Sequence, residues 1–367
     1  MKKQGMKKVL IINIYGIGDV LFTTPLIENL KAHSPKIQIG YLANRRAAQF
    51  LERHPSLCKV HVYERDEWQS IQQKSKFQYL QKIFGLVQEI KKEHYDLVMD
   101  LSLNGFMGFL SFGAGIPRRV GFDFRNRGFF LTKKIPFFGY EKKHVVDCYL
   151  DLLRELAVPI QTRQMKLPLA KQDRDWAEGF LINHGVGRGD LVMAVFPGGG
   201  ASWGQDAVYK RWAPEKFAQL VDQLIEKYYA SVFLMGSEKE KKLLQGVSDK
   251  MTHRPSAICS GNSLLQSAAV LERCALVITN DGGPLHMATA VGTKTVSIFG
   301  PVPEQVYGPY PPEGHAVVTS NIACRPCYRH FRRASCDHIN CLKNIAMNDV
   351  LEKVDQILQS PVSSDKS

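Results

Sequence analysis

The sequence predicts an α/β protein built from two Rossmann-like halves. Three observations carry this. Short, wholly apolar runs of strand length alternate with amphipathic helical stretches, the pattern of a mostly parallel sheet covered by helices. The same plan starts afresh near residue 190. And 367 residues is the length of about two domains.

Taken in order, Lys8 to Ile14 (KVLIINI) is apolar without alternation, which marks a strand buried on both faces. The loop Tyr15-Gly16-Ile17-Gly18-Asp19 follows it. Val20–His33 then reads as an amphipathic helix with Pro25 in its early turns. Ile37–Leu42 reads as strand, Arg45–Arg53 as helix and Val60–Tyr63 as strand. Lys76–Lys92 is expected to be helical, and Leu97–Leu101 (LVMDL) is another buried strand. In the second half Leu191–Phe196 (LVMAVF) plays the part of the first strand and runs into Pro197-Gly198-Gly199-Gly200. Helix is expected over Phe217–Tyr228, Ser267–Glu272 and Leu285–Val291, and strand over Ser231–Met235, Ala275–Thr279 and Thr295–Phe299. Val350–Leu358 closes the chain as a helix, with Ser360–Ser367 as a frayed tail. The expected divisions are 1–165, 166–345 and a helix with tail over 346–367. The repeat is one of architecture and not of sequence. Ligands are expected at the carboxyl ends of both sheets, in a cleft between the halves.

Composition excludes several classes. With 44% hydrophobic and 23% charged residues the chain is neither disordered nor fibrous. No apolar run approaches the roughly 18 residues of a membrane span. Lys2, Lys3, Lys7 and Lys8 before an apolar run imitate a secretory signal, but Asn13 and Asp19 interrupt it and no small-residue cleavage site follows, so a cytosolic location is expected. The formal net charge is +13 and is unevenly placed. Residues 1–170 hold 27 basic and 15 acidic side chains, whereas 171–367 hold 21 and 20. The first half is expected to face something anionic.

The segment Asn280-Asp281-Gly282-Gly283-Pro284-Leu285-His286 leaves a strand, turns on two glycines and enters a helix with Pro284 at its first position. Amides at such a helix start favour an anion. His286 is placed to donate to a phosphate oxygen. In the loop Phe196–Gly204, Gly198, Gly199 and Ser202 precede Lys210 and Arg211, and one lysine can offset the charge of a pyrophosphate. Glu238, with Glu240 as the spare, ends a strand where carboxylates bind ribose hydroxyls; an acidic helix start explains it equally well. Asp19 reads either as the N-cap of its helix or as a general base facing the cleft.

These pieces resemble one family. Ile17-Gly18-Asp19-Val20-Leu21 with Thr24-Pro25, Pro197-Gly198 with Lys210-Arg211-Trp212, and the 280–286 segment are similar to glycosyltransferase family 9, the ADP-heptose:lipopolysaccharide heptosyltransferases. The resemblance spans nearly the whole chain. It implies a GT-B fold, two Rossmann-like α/β domains facing each other across a cleft, with acceptor on the first and donor on the second. It also implies Asp19 as catalytic base, Lys210 on the donor phosphates, Asp281, Gly282, Gly283 and His286 in the donor loop, and Glu238 near the nucleotide. The family commonly has Ser or Thr where Gly282 stands. The implied reaction is inverting and metal-independent, transferring heptose from ADP-heptose to a phosphorylated lipid A–inner core acceptor at the cytoplasmic membrane face. Gly18, Arg118, Arg119, Lys142 and Lys143 are the acceptor-side candidates, with Arg125, Arg127, Lys133 and Lys134 adding to the basic surface.

Two features stand apart. Asp173-Arg174-Asp175 imitates the metal-binding triplet of other glycosyltransferases but reads as a helix start. Cys324-x2-Cys327-x8-Cys336-x4-Cys341 has two short pairs; a structural zinc, four reduced thiols and disulfides all fit that spacing. Competing classes are another nucleotide-sugar transferase, a basic zinc-knuckle protein binding nucleic acid, and an NAD-dependent oxidoreductase. An aromatic-basic RNA motif and the full dinucleotide glycine fingerprint are both missing, which disfavours the last two.

Overall fold

A computed structural model describes residues 6–359 apart from residues 142 and 200. The side chains of Ala201 and Ser202 and the expected tail over 360–367 also lie outside the described set. The chain forms two units. One runs up to Tyr140 and resumes over Val145–Arg163; the other takes Glu141–His144 and everything from Gln164 onward.

In the first unit the apolar run after Lys7 becomes β1 (Lys8–Ile12), with Val9 to Ile12 fully buried. It is followed by β2 (Gln38–Ala43), β3 (Lys59–Val62), β4 (Leu97–Asp100), β5 (Arg118–Phe124) and β6 (Lys133–Phe137). The order is β3-β2-β1-β4-β5-β6, all parallel, with Ile11 opposite Tyr41 on one side and Met99 on the other. β1 stops two residues earlier than its apolar run. Asn13 is buried and turns the chain there: its Nδ2 donates to the Asp19 carbonyl (3.0 Å) and its Oδ1 accepts from the Tyr15 amide (3.2 Å).

The helix expected over Val20–His33 is two helices, Ile17–Leu21 and Thr24–His33. Pro25 forces the break, because proline has no N–H and is tolerated only in a first turn. The Thr23 and Thr24 hydroxyls donate to the Val20 and Leu21 carbonyls, at 2.6 and 2.7 Å, near the end of the first helix.

The second unit repeats the plan with β7 (Val192–Phe196), β8 (Ser231–Gly236), β9 (Ala257–Ser260), β10 (Leu276–Asn280), β11 (Thr295–Ile298) and β12 (His315–Val318). Its order is β12-β11-β10-β7-β8-β9, again parallel throughout. Trp212, Phe217, Leu220 and Leu224 pack beneath it, and the helix Met347–Gln359 adds Val350, Val354 and Ile357 to the same core. Each such large apolar side chain contributes about 1.5–3 kcal/mol when fully buried. Asp173 accepts the Ala170 amide at 3.0 Å and so caps the helix Lys171–Asn183, while Arg174 grips Glu272 at 2.7 and 2.9 Å; the aspartate triplet is a helix start.

In both sheets the strand order therefore reverses at the gap between the first and fourth strands. In such sheets ligands bind outside the carboxyl ends at that switch point. The loops there follow β1 and β4 in the first unit and β7 and β10 in the second.

Candidate functional site

In the second unit, β7 ends at Phe196 and the chain leaves as Pro197-Gly198-Gly199. A Cβ on Gly198 would stand 2.1 Å from Glu240 Oε1, and Gly199 has φ +107°, so neither position accepts a side chain readily. Glu240 binds this loop. Its carboxylate accepts from the Gly199 amide (2.8 Å) and the Ser237 amide and hydroxyl (2.9 and 2.7 Å), and pairs with Arg211 at 3.3 Å. Burial alone would raise its pKa; the hydrogen bonds outweigh this and hold it below the usual carboxylate range. Glu240 is thus occupied as a brace. Glu238 is exposed, 4.0 Å from Lys241.

Asn280, at the end of β10, ties three segments together. Its Nδ2 donates to the Pro197 and Gly198 carbonyls, both at 2.9 Å, and its Oδ1 accepts the Trp212 amide at 3.0 Å. That fixes the end of the stretch Ala201–Lys210 and brings Lys210 onto Asp281, Nζ to Oδ2 2.6 Å, with the ammonium 4.4 Å above the Trp203 ring. The two side chains are 10% and 5% exposed. Gly282 is the N-cap of the helix Gly283–Ala290, so Pro284 stands second in it and not first, and His286 fourth. Burial pushes the His286 imidazole down to about 3, with His144 and Lys210 adding to the effect; it is neutral at physiological pH and can donate one N–H. Gly198, Gly199, Lys210, Asp281, Gly282, Gly283 and His286 all lie at the carboxyl edge of β7 and β10. The Lys210 ammonium, the helix start at Gly283 and a neutral imidazole gathered there suit a diphosphate.

In the first unit, Asp19 is the third residue of its helix and Gly16 is the N-cap, so Asp19 is not the cap. Gly18 is also inside the helix and offers no side chain. Asp19 is half-buried among tyrosines. Burial, then the charges of Asp19 and Asp100, push the Tyr15 hydroxyl up to about 12, and Tyr15 donates to the Ser102 carbonyl. Asp100 ends β4, fully in the interior. Its carboxylate accepts from the Ser102 amide (2.9 Å) and hydroxyl (2.6 Å), yet burial still raises it to about 6. Arg127 and Arg65 are near enough to act on Tyr15 in the opposite sense, and both are exposed.

Arg118 and Arg119 are not brought to this edge. They open β5, opposite Leu97 and Val98, whereas the carboxyl end of β4 lies opposite Gly121. Arg119 is moreover committed to its own unit, with Nε on the Phe130 carbonyl at 2.6 Å. Lys143 is exposed and belongs to the second unit; Lys142 lies outside the described residues, as does the Ser202 side chain. Cys324, Cys327, Cys336 and Cys341 line one small cavity of the second unit. Their thiols are free, and among the described residues no group of three or more His, Cys, Asp or Glu stands ready to hold a metal ion. Burial, then the other three thiols, raise Cys341 to about 11.

The sequence model of glycosyltransferase family 9 (heptosyltransferase) matches residues 83–337. The chain belongs to glycosyltransferase family 9. Among relatives of this family 9 chain is lipopolysaccharide heptosyltransferase 3 of Escherichia coli, 24% identical over 77% of this chain and 80% of that one. A family 9 glycosyltransferase from Veillonella parvula superposes with a TM-score of 0.81 at 23% identity, covering 96% of this chain and 98% of the other. The E. coli heptosyltransferase WaaC with ADP-2-deoxy-2-fluoro heptose superposes with a TM-score of 0.72 at 18% identity, over 95% and 99%. The α/β fold of two parallel six-stranded sheets matches these GT-B structures.

Sequence reading of the family 9 site passed over Asn280 as a hub, Glu240 as a brace, and Tyr15, Asp100 and Arg65 beside Asp19. Asn280 and Asp100 had a visible signal, as polar residues at the ends of apolar strands.

Proposed function

We propose that this family 9 glycosyltransferase moves heptose from ADP-heptose to the inner core of lipopolysaccharide in one inverting displacement. The reading rests above all on the Lys210–Asp281 pair beside His286 and the helix start at Gly283, a ready-made receptor for the diphosphate of a nucleotide sugar. The names of the relatives, lipopolysaccharide heptosyltransferases, supply the sugar and the acceptor.

In this reaction the second unit, in the main residues 166–345 with the helix that follows, holds ADP. Lys210 meets the diphosphate, His286 donates its N–H to a phosphate oxygen, and Glu238 takes the ribose hydroxyls. The first unit, in the main residues 1–165, presents the acceptor. Asp19 removes the proton from an acceptor hydroxyl as that oxygen attacks the anomeric carbon, and the carbon–oxygen bond to ADP breaks on the opposite face. The charge that grows on ADP is met by Lys210 and the helix amides, so the chemistry runs without a metal. Arg65 and Arg127, at the same sheet edge as Asp19, suit the anionic groups of the acceptor.

The place of reaction is the inner face of the cytoplasmic membrane. No described helix is long and apolar enough to cross a membrane. Instead the first unit carries an exposed aromatic face. Phe77, Leu80 and Phe84 lie along one side of the helix Lys76–Lys92, and Phe109 and Phe112 on the helix Gly105–Gly113, all of them 42–69% exposed. With the basic surplus of this half, such a face suits an anionic lipid surface that also carries the acceptor.

Mass spectrometry of the lipopolysaccharide core from a strain lacking the protein tests the whole reading. A core truncated at one heptose, restored by the gene, is expected. An unaltered core would refute it.

A further inference from the structure

The segment over 321–340 is the least self-sufficient part of the second unit. None of its residues is buried. Its regular structure is a two-residue hairpin, Tyr328–Arg329 against Arg332–Arg333, and the start of the short helix Asn340–Lys343. So long a stretch without apolar burial needs another source of order. It nonetheless has a defined seat. Tyr328 stacks on Trp203 with ring centroids 5.0 Å apart, the Arg333 guanidinium lies 3.6 Å above the Tyr209 ring, and Cys327 and Tyr328 donate their amides to the Pro301 carbonyl at 3.0 Å.

We propose that Cys324, Cys327, Cys336 and Cys341 bind one tetrahedral, thiolate-held divalent metal ion, zinc or iron, which staples this segment onto the stretch Ala201–Lys210. Three observations converge. The four cysteines, all within residues 324–341, line a single cavity. Cys324-x2-Cys327 runs directly into the hairpin, the local geometry in which two thiols from one turn face one ion. And Arg325 and Arg333 line the same cavity; Nε of Arg333 is buried with no hydrogen-bond partner among the described residues. Four thiolates around a divalent ion carry a net charge of about −2; the Arg333 guanidinium offsets part of it, Arg325 being already paired with Glu304 at 2.6 Å. The buried Nε–H then finds a sulfur acceptor.

Binding breaks four S–H bonds and forms four metal–sulfur bonds. The four protons pass to solvent, the metal sheds its water, and no oxidant or reductant takes part. The sulfurs must draw inward to about 2.3 Å from the ion. Because Trp203 and Tyr209 belong to the stretch that ends at Lys210, the staple would also steady that lysine.

The test uses the full-length protein purified without chelator, with zinc and iron both measured by elemental mass spectrometry. About one metal ion per chain is expected, falling below about a tenth in Cys327→Ser and in Cys336→Ser, while Cys58→Ser in the first unit retains it. Should the serine variants fail to fold, wild type is stripped with chelator and reloaded. Reloading is expected to slow amide exchange across 201–210 and 321–340, and cobalt in place of zinc to give the visible absorption of a tetrahedral thiolate site. A protein that is metal-free as isolated and takes up neither metal, or one whose four cysteines are found as disulfides, would overturn the proposal.

Discussion

Replacing Lys210 by Met keeps the length of the side chain and removes only the ammonium. Two effects follow from the geometry. The lysine's charged hydrogen bond to a diphosphate is lost, about 1.5–3 kcal/mol, or about 10–150-fold in the Kd for ADP. In addition Asp281, whose side chain is 5% exposed and 2.6 Å from Nζ, is left as an uncompensated carboxylate beside the bound phosphates. Water cannot reach it to take the lysine's place, so the fold itself should lose about 3–5 kcal/mol and the like charge should push the ADP loss to the upper end of its range. The double variant Lys210→Met/Asp281→Asn removes that charge. It should bind ADP more tightly than Lys210→Met alone and melt at a higher temperature, with a coupling of about 1–2 kcal/mol. Calorimetry with ADP at low salt and thermal melts of the four proteins read this out. An ADP affinity within threefold of wild type in Lys210→Met, or strictly additive single and double variants, would refute the argument.

Asp19→Asn should fold and bind ADP normally yet lose about 10²–10⁴ in turnover with a lipid acceptor, the usual share of a general base; turnover within about threefold of wild type would leave Asp19 without a catalytic part. Phe77→Ser/Leu80→Ser/Phe84→Ser should weaken binding to anionic vesicles at 0.5 M salt far more than at low salt, since screening leaves the aromatic face as the main attraction; flotation assays decide it, and equal binding at high salt would rule that face out. Acid should destabilise the protein. The folded His286 and His315 titrate at about 3 and about 4, below the unfolded value of about 6.5, so below that pH the unfolded chain binds more protons. Each histidine removes about 2 kcal/mol between pH 7 and pH 5. Asp100, raised to about 6, has the opposite sign and returns about 1 kcal/mol, leaving a net loss of about 3. Denaturant melts at both pH values check this; a stability independent of pH would count against the buried neutral histidines.

The elements legible in the sequence were those whose signal is local. Lys76–Lys92 has its helical period and is helical over those same residues, and the buried strands announce themselves as unbroken apolar runs. Of the four edge strands only β3 was legible. β6 (KKIPF) is half polar and contains Pro136, which an edge strand tolerates but a sequence pattern does not advertise. The helix Gly105–Gly113 carries three glycines that mask its period. The site divides in the same way. Glycines, Lys210, Asp281 and His286 stand out as residue types at the ends of strands. The bonds that position them do not, because the parallel register creates them: Asn280 reaches back to Pro197 and Gly198, and Glu240 to Gly199, across dozens of residues with no periodicity between. Arg118 and Arg119 show the complementary error. Their charge is visible in the sequence, but their place at the amino end of β5 is a fact of register alone.

The way the chain is shared between its units bears on any attempt to exchange their specificities. The backbone changes unit three times, after Tyr140, after His144 and after Arg163. The short excursion Glu141–His144 is anchored by His144, whose ring stacks on Tyr310 at 4.4 Å and whose Nε2 sits 3.2 Å from the Gly308 carbonyl. A hybrid enzyme spliced once, near residue 164, would therefore marry a foreign second unit to a tetrapeptide evolved for another, and would set the neighbour of His286 against a mismatched surface. Exchanging second units within this family calls for transplanting that tetrapeptide together with the rest of the unit, as two inserts rather than one.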